Sequence, residues 1–412
     1  MRNFIISLIF LILLGATTTL QAQDLLIKNA RIHTLSSAGI LEASDLLIRN
    51  GKLSKIGKQL QAGNDTETID AKGRNVTPGL FGGLSTIGLN EISLEDSTVD
   101  QSLDFKQMRP EFNVNYAYNP ASSLIAINRI EGILYAVLSP LTKGSIFEGQ
   151  GSPVVLDGRS FPQGVNASFI SLGSAGKGDS GGSRAAQYML LEQAFSEVTS
   201  GGDQNGPFQL LTQAGRLALK SRNNPYVFNV NRASDILRAL EFIKANSLNG
   251  VISGAAEAWM VAAQLKAAGV PVIIDPLANL PASFDSLGSR LENAAILNAA
   301  GVAVIFSAGG AHNIRKIRQA AGNAVANGMP YAAAMAAITA VPAQVFAYAG
   351  GKLETGAVAN LVIWDGDPLE VSSAADVVII KGVTTPMVSR QSLLRDRYLS
   401  PKGDMPRAYQ KP

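Results

Sequence analysis

Cysteine is absent from this chain of 412 residues, and histidine occurs only twice, as His33 and His312. The first absence excludes disulfides, thiolate metal ligands, a cysteine nucleophile and a lipidated anchor. The second excludes a metal centre built mainly from imidazoles. Charged residues are also scarce, at 16%, and 35 basic against 32 acidic side chains leave a formal charge of +3. No lysine–arginine block or basic–aromatic interleaving is present, so the footprint of a nucleic-acid binder is missing. Beyond Ala22 no apolar run is long enough to form a membrane helix.

What the chain does have is core material. It is 46% hydrophobic and carries 40 glycines, a globular composition large enough for one barrel or two ordinary domains. The start has the pattern of an export signal: Arg2, an apolar stretch from Phe4 to Leu14, and small residues from Ala16 to Ala22. Cleavage after Ala22 is expected, giving a periplasmic or secreted protein with no membrane attachment after signal cleavage. An uncleaved anchor is the alternative, and the shortness of the apolar stretch argues against it.

Residues 23–79 read as short strands, with Asn50-Gly51 favouring a tight primed turn between two of them. The far end has the same character: Asn360 to Trp364, Val377 to Ile380 and Thr384 to Val388 are strand-like. Neither piece is apolar enough to stand alone, and together they predict one small composite β-sandwich. Between them, strands and helices alternate: Tyr226 to Val230 and a helix capped by Ser234-Asp235, then Gly250 to Ser253, Val272 to Ile274 and Val302 to Phe306, each with a helix nearby. Alternation at this spacing predicts an α/β chain with a (β/α)8 TIM-like barrel over residues 80–349 and the sandwich completed by residues 350–412. An open doubly wound sheet is the runner-up, but no glycine-rich dinucleotide loop is present. Residues 90–178, rich in Ser, Asn, Asp and Gly, are expected to hold the earlier barrel strands between long loops.

Val76-Thr77-Pro78-Gly79-Leu80 resembles the hallmark that joins sandwich to barrel in the amidohydrolase superfamily, most closely in its imidazolonepropionase-like and dipeptidase-like exported branch. Pro342-Ala343, Gly350 to Leu353, Ala359 to Trp364, Asp365-Gly366-Asp367-Pro368-Leu369 and Ser389 to Tyr398 resemble its closing segment. The resemblance implies metal ligands at defined places, and this chain departs at each. The paired first-strand histidines correspond to Leu84 and Thr86, a later histidine to Asn229 or Asn231, and the catalytic aspartate to Ala308. Two imidazoles at i and i+2 share a strand face and reach one ion, whereas leucine has no donor and an asparagine amide is a weak ligand. Around Ser253 to Glu257, where another histidine is implied, only Glu257 is able to bind a cation, and stabilisation of a helix N-terminus explains it equally well. The expectation is therefore no bound metal and no cofactor.

Other polar groups are expected at the barrel mouth. Asn229, Asn231, Arg232, Glu257, Asp275, His312 and Arg315 form the candidate pocket, with Glu91 beside them. The asparagines suit a carbonyl or sugar-like ligand, and either arginine suits a carboxylate. The bland alternative is that these groups satisfy one another around loops. His33 is expected in the sandwich hairpin, exposed or stacked. Gly176-Lys177-Gly178 is expected to be a lid or helix cap rather than an anion cradle. The leading function is an amidohydrolase-like protein degenerate for metal-dependent C–N bond hydrolysis, with a small-molecule ligand or a supporting role in a homo-oligomer or beside a paralogous amidohydrolase subunit. The alternative is an active hydrolase of peptide-like or other carbon–nitrogen bonds through a rearranged site.

Overall fold

The computed structural model describes residues 24–399 apart from 106, 142–143, 179 and 201–208. The leader expected at residues 1–22 lies outside the described residues. The described residues begin with β1 (Leu25–His33), β2 (Ile40–Arg49), β3 (Lys52–Gly57), β4 (Glu67–Asp70) and β5 (Asn75–Pro78). Between β2 and β3, Asn50 and Gly51 have φ of 49° and 74°, the conformation of the anticipated primed turn.

The next strands form the barrel wall: β6 (Leu80–Ser85), β7 (Ile133–Leu138), β8 (Phe147–Gly151), β9 (Pro153–Val155), β10 (Ala167–Ser171), β11 (Pro225–Val230), β12 (Asn249–Gly254), β13 (Val272–Ile274) and β14 (Val304–Phe306). From β10 to β14 every pairing is parallel, as is that of β6 with β7. Strands β8 and β9, separated by Ser152, act as one bent stave that runs antiparallel to both neighbours, β10 and β7. The wall is thus a TIM-like barrel with one inverted stave. Its cause is local: the described residues of 139–146 and 156–166 contain no helix, and links this short do not supply the long crossover that parallel strands need. The wall closes where the Leu84 amide donates to Ser307 Oγ at 3.0 Å.

The chain then returns through β15 (Leu361–Trp364), β16 (Ala375–Ile380) and β17 (Val383–Thr385). β15 pairs antiparallel with β5, so both chain ends share one eight-stranded sheet that curls until Lys52 bridges Val358. This curled composite sheet has its own core, including Leu25, Ile27, Leu46, Ile48, Leu361 and Ile379. Trp364 locks it to the barrel: the indole is fully buried, donates to Thr77 Oγ1 at 2.9 Å and lies under the Arg318 guanidinium at 4.5 Å. A buried aromatic of this kind contributes about 2–3 kcal/mol. The helix expected to be capped by Ser234-Asp235 starts one residue earlier, at Ala233. Its first turn therefore contains both residues, and Asp235 instead accepts from Arg184 Nε at 2.8 Å.

Candidate functional site

Parallel strands from β10 to β14 all end on one side of the barrel, and their ends surround a cavity of about 500 Å3. Asn229 and Asn231, two apart on β11 and just beyond it, face the same side and both line the cavity. Space for them comes from Gly254 at the end of β12. A Cβ there would lie 2.9 Å from Asn229 Oδ1 and 2.7 Å from Asn231 Oδ1, and φ of +81° also favours glycine. Thr86, Ser253, Ser307 and Asp275 add polar groups, while Leu84, Phe169, Ile274 and Leu280 supply apolar wall.

The inverted stave brings Glu148 to the same place. Because β8 runs against β10, its first residues meet the last residues of β10, with Phe147 opposite Ile170. The register shifts between Phe169 and Ile170, and Gly149 has φ of +124°, which marks a bulge that turns Glu148 into the cavity wall. Burial pushes the Glu148 carboxyl up to about 7, against a hydrogen bond from Ser171 that pulls it down. Asn229 Nδ2 in turn donates to Ser171 Oγ at 3.3 Å, so Glu148, Ser171 and Asn229 form a polar line across three staves. Sequence reasoning missed Glu148, because an all-parallel barrel would place the start of this stave at the opposite end. The available signal was Phe147-Glu148-Gly149-Gln150-Gly151, a charge between aromatic and glycines in a strand.

The cavity gathers Asn229, Asn231 and Asp275 from the candidate pocket, and it leaves Arg232, Glu257, His312 and Arg315 outside its lining. Asp275 stands at the rim, where desolvation raises its carboxyl against the pull of the Leu277 amide at 2.9 Å. Glu257 is buried beneath the rim, and both its oxygens are taken by backbone amides: Ala233 N at 2.9 Å and Gly288 N at 3.1 Å. It therefore holds the first amide of the helix Ala233–Ala245, a neighbour rather than its own helix. Arg232 is exposed at the start of that helix, and its carbonyl accepts from Ile236 N at 2.9 Å. His312 is exposed on the loop after β14. Arg315 is half-buried outside the lining, and its backbone amide donates to Asn128 Oδ1 at 3.0 Å. Glu91 also lies outside the lining, its Oε2 accepting from Ser123 Oγ at 3.5 Å. Lys177 is exposed and does not line the cavity. His33 is buried rather than exposed: its Nε2 meets Asn75 Oδ1 at 2.8 Å, with Tyr331 tilted beside the ring.

A transition metal does not fit this donor set. Leu84 and Thr86 both line the cavity, yet one has no donor atom and the other offers a single hydroxyl. Ala308 contributes no carboxylate beside Ser307, and the Asn229 amide is engaged with Ser171. Among the described residues no three of His, Cys, Asp or Glu converge where they could hold an ion.

Residues 238–393 match the model of the amidohydrolase family. An amidohydrolase from Thermotoga maritima MSB8 superimposes with a TM-score of 0.77 at 22% identity, covering 88% of this chain and 99% of that one. Its fold is that of the amidohydrolase superfamily. A Xaa-Pro dipeptidase with methionine in its active site shares the amidohydrolase fold at 17% identity, with a TM-score of 0.56 and coverage of 88% and 100%. So does a β-aspartyl dipeptidase from Fervidobacterium islandicum AW-1, at 16% identity and a TM-score of 0.53, covering 88% and 96%. No curated protein matches the chain. Among the described residues, no helix is long and apolar enough to cross a membrane.

Proposed function

We propose that this chain is an exported, amidohydrolase-like protein that has lost metal-dependent C–N bond hydrolysis and keeps the barrel mouth as a binding cavity for a small neutral ligand rich in carbonyl, amide or hydroxyl groups. The observation that carries this reading is the replacement itself. The positions that the family resemblance assigns to imidazoles and a carboxylate hold Leu84, Thr86, Asn229 and Ala308, and the first three line an open cavity together with Asn231, Ser253 and Ser307. Neutral amides offer both donors and acceptors, and serine and threonine hydroxyls adapt to either role, which suits an uncharged polar ligand.

Glu148 favours a second reading, a hydrolase working through a rearranged site. A carboxyl raised toward neutrality in a cavity wall is suited to take or give a proton. No activated nucleophile accompanies it among the described residues, so binding remains the stronger reading. Four exposed apolar side chains near the mouth, Met260, Leu280, Phe284 and Leu287, favour a partner subunit at this face.

One experiment separates these readings. Purified protein is assayed with N-acetyl amino acid amides, N-acetyl dipeptide amides and cyclic amides, with and without zinc, manganese or cobalt, and the same compounds are titrated by calorimetry. Binding without turnover, abolished by Asn229→Ala, is the expected result. Metal-stimulated turnover with stoichiometric metal would defeat the proposal, and metal-independent turnover lost in Glu148→Gln would establish the second reading.

A further inference from the structure

Away from the mouth, a groove of about 630 Å3 separates the barrel from the returning strands. Its walls are the short helix Ser123–Arg129, the loop that follows β9, and the turn between β16 and β17. Three cations line it, Arg129, Arg159 and Lys381, against one carboxylate, Asp157. Asp157 is already well supplied with donors: Arg159 N at 2.8 Å, Ser160 N at 2.7 Å, Ser160 Oγ at 2.5 Å and Lys381 Nζ at 3.3 Å. These bonds hold its carboxyl below the ordinary range despite partial burial.

Arg129 is the group left over. Its Nε is buried and has no hydrogen-bond partner. The guanidinium is nevertheless placed with care. Gly158 has φ of +80°, and a Cβ there would come within 3.0 Å of Arg129 Nη1, so glycine makes the room. A small oxyanion in the groove would meet the guanidinium from its Nη1 side, beside Gly158, and would offset the Arg159 charge nearby. Desolvation depresses the Arg129 guanidinium; Asp157 opposes this, and Arg159 adds a smaller push in the same direction as burial.

We propose that this groove is a second ligand site, which takes a small oxyanion, a carboxylate or a phosphate, between Arg129 and Arg159 of the barrel and Lys381 of the returning strands. A bound anion would join the two parts of the fold, so occupancy raises thermal stability as well as filling the groove. The site is independent of the barrel mouth.

Inorganic phosphate and, in a separate arm, glutarate are titrated into the purified protein at constant ionic strength, with calorimetry and Tm as readouts. Saturable binding with a rise in Tm is expected, and the arm that saturates at lower concentration identifies the preferred oxyanion. Arg129→Gln and Arg159→Gln should each weaken that binding about tenfold or more, while Asn229→Ala leaves it unchanged. Arg159 is exposed, so its variant keeps the test decisive even if Arg129→Gln fails to fold. Absence of saturable binding for both ions, or binding unaltered in Arg159→Gln, overturns the site.

Discussion

From β10 to β14 every strand is parallel to its neighbour and is followed by a helix, and β11 keeps step with β12 without a break from Pro225↔Asn249 to Val230↔Gly254. From β6 to β9 the register of β6 on β7 breaks twice between Leu80 and Leu84, and the third stave runs backwards in two pieces. Both halves pack into one continuous core that includes Phe81 and Tyr135 on one side and Tyr226 and Phe228 on the other. The regular half supplies an even rim on which Asn229, Asn231 and Asp275 stand in sequence order. The irregular half supplies what repetition does not: a carboxylate, Glu148, carried to the mouth by reversal and a bulge. Regularity spreads stability over many equivalent contacts, while departures from it aim individual side chains.

The comparison can be sharpened by mutation. Phe228 is fully buried in the regular half, so Phe228→Ala should cost about 3–5 kcal/mol in urea unfolding. A much smaller loss would mean that this half is loosely packed. Two glycines probe the halves against each other. At Gly151, in the inverted stave, an added methyl meets the Leu138 backbone carbonyl, which has no room to retreat; at Gly250 the nearest atoms, from 2.5 Å, belong to the Ile243 side chain. Gly151→Ala should therefore cost about 1–3 kcal/mol or more, and Gly250→Ala clearly less, because a side chain yields where backbone does not. Equal losses would break the contrast.

Glu257→Gln tests whether the rim is structural. Replacing one of its two acceptor oxygens with an amide should cost about 1–2 kcal/mol while leaving ligand affinity at the mouth intact. Reduced affinity at unchanged stability would instead assign Glu257 to the cavity. The smallest effect should come from pH. Glu148 is raised in the folded protein, so its contribution is fully present below the ordinary value of 4.5 and is lost as pH rises toward about 7. Glu148→Gln should remove that loss, about 1 kcal/mol after allowance for solvent at the open mouth, and flatten the Tm profile between these values. A profile unchanged by the substitution would show that Glu148 is not desolvated.

Legibility followed the same divide. The alternation of strands and helices after Tyr226 could be read directly, because period and spacing there reflect repeated burial of one strand and one helix face. The primed turn at Asn50-Gly51 was equally plain, since few dipeptides tolerate two positive φ values. Residues 90–178 were blurred because loops dominate them, and strand direction leaves no mark in periodicity. Glu257 illustrates the limit at the site: its position after β12 was readable, but its two amide partners come from Ala233 and Gly288, far away in sequence.

Residue identity alone determined that Leu84 and Ala308 bring no donor atom, and Thr86 and Asn229 only neutral oxygens, for a missing donor atom is chemistry that no folding restores. It also pointed to the joining of the chain ends, through short strands that carry too little apolar surface to fold apart. Only tertiary structure decided which polar groups share the mouth, that Glu148 joins them while His312 stays in solvent, and that three cations meet across a groove. These depend on strand direction and on packing between distant segments, and neither is written in the local pattern of side chains.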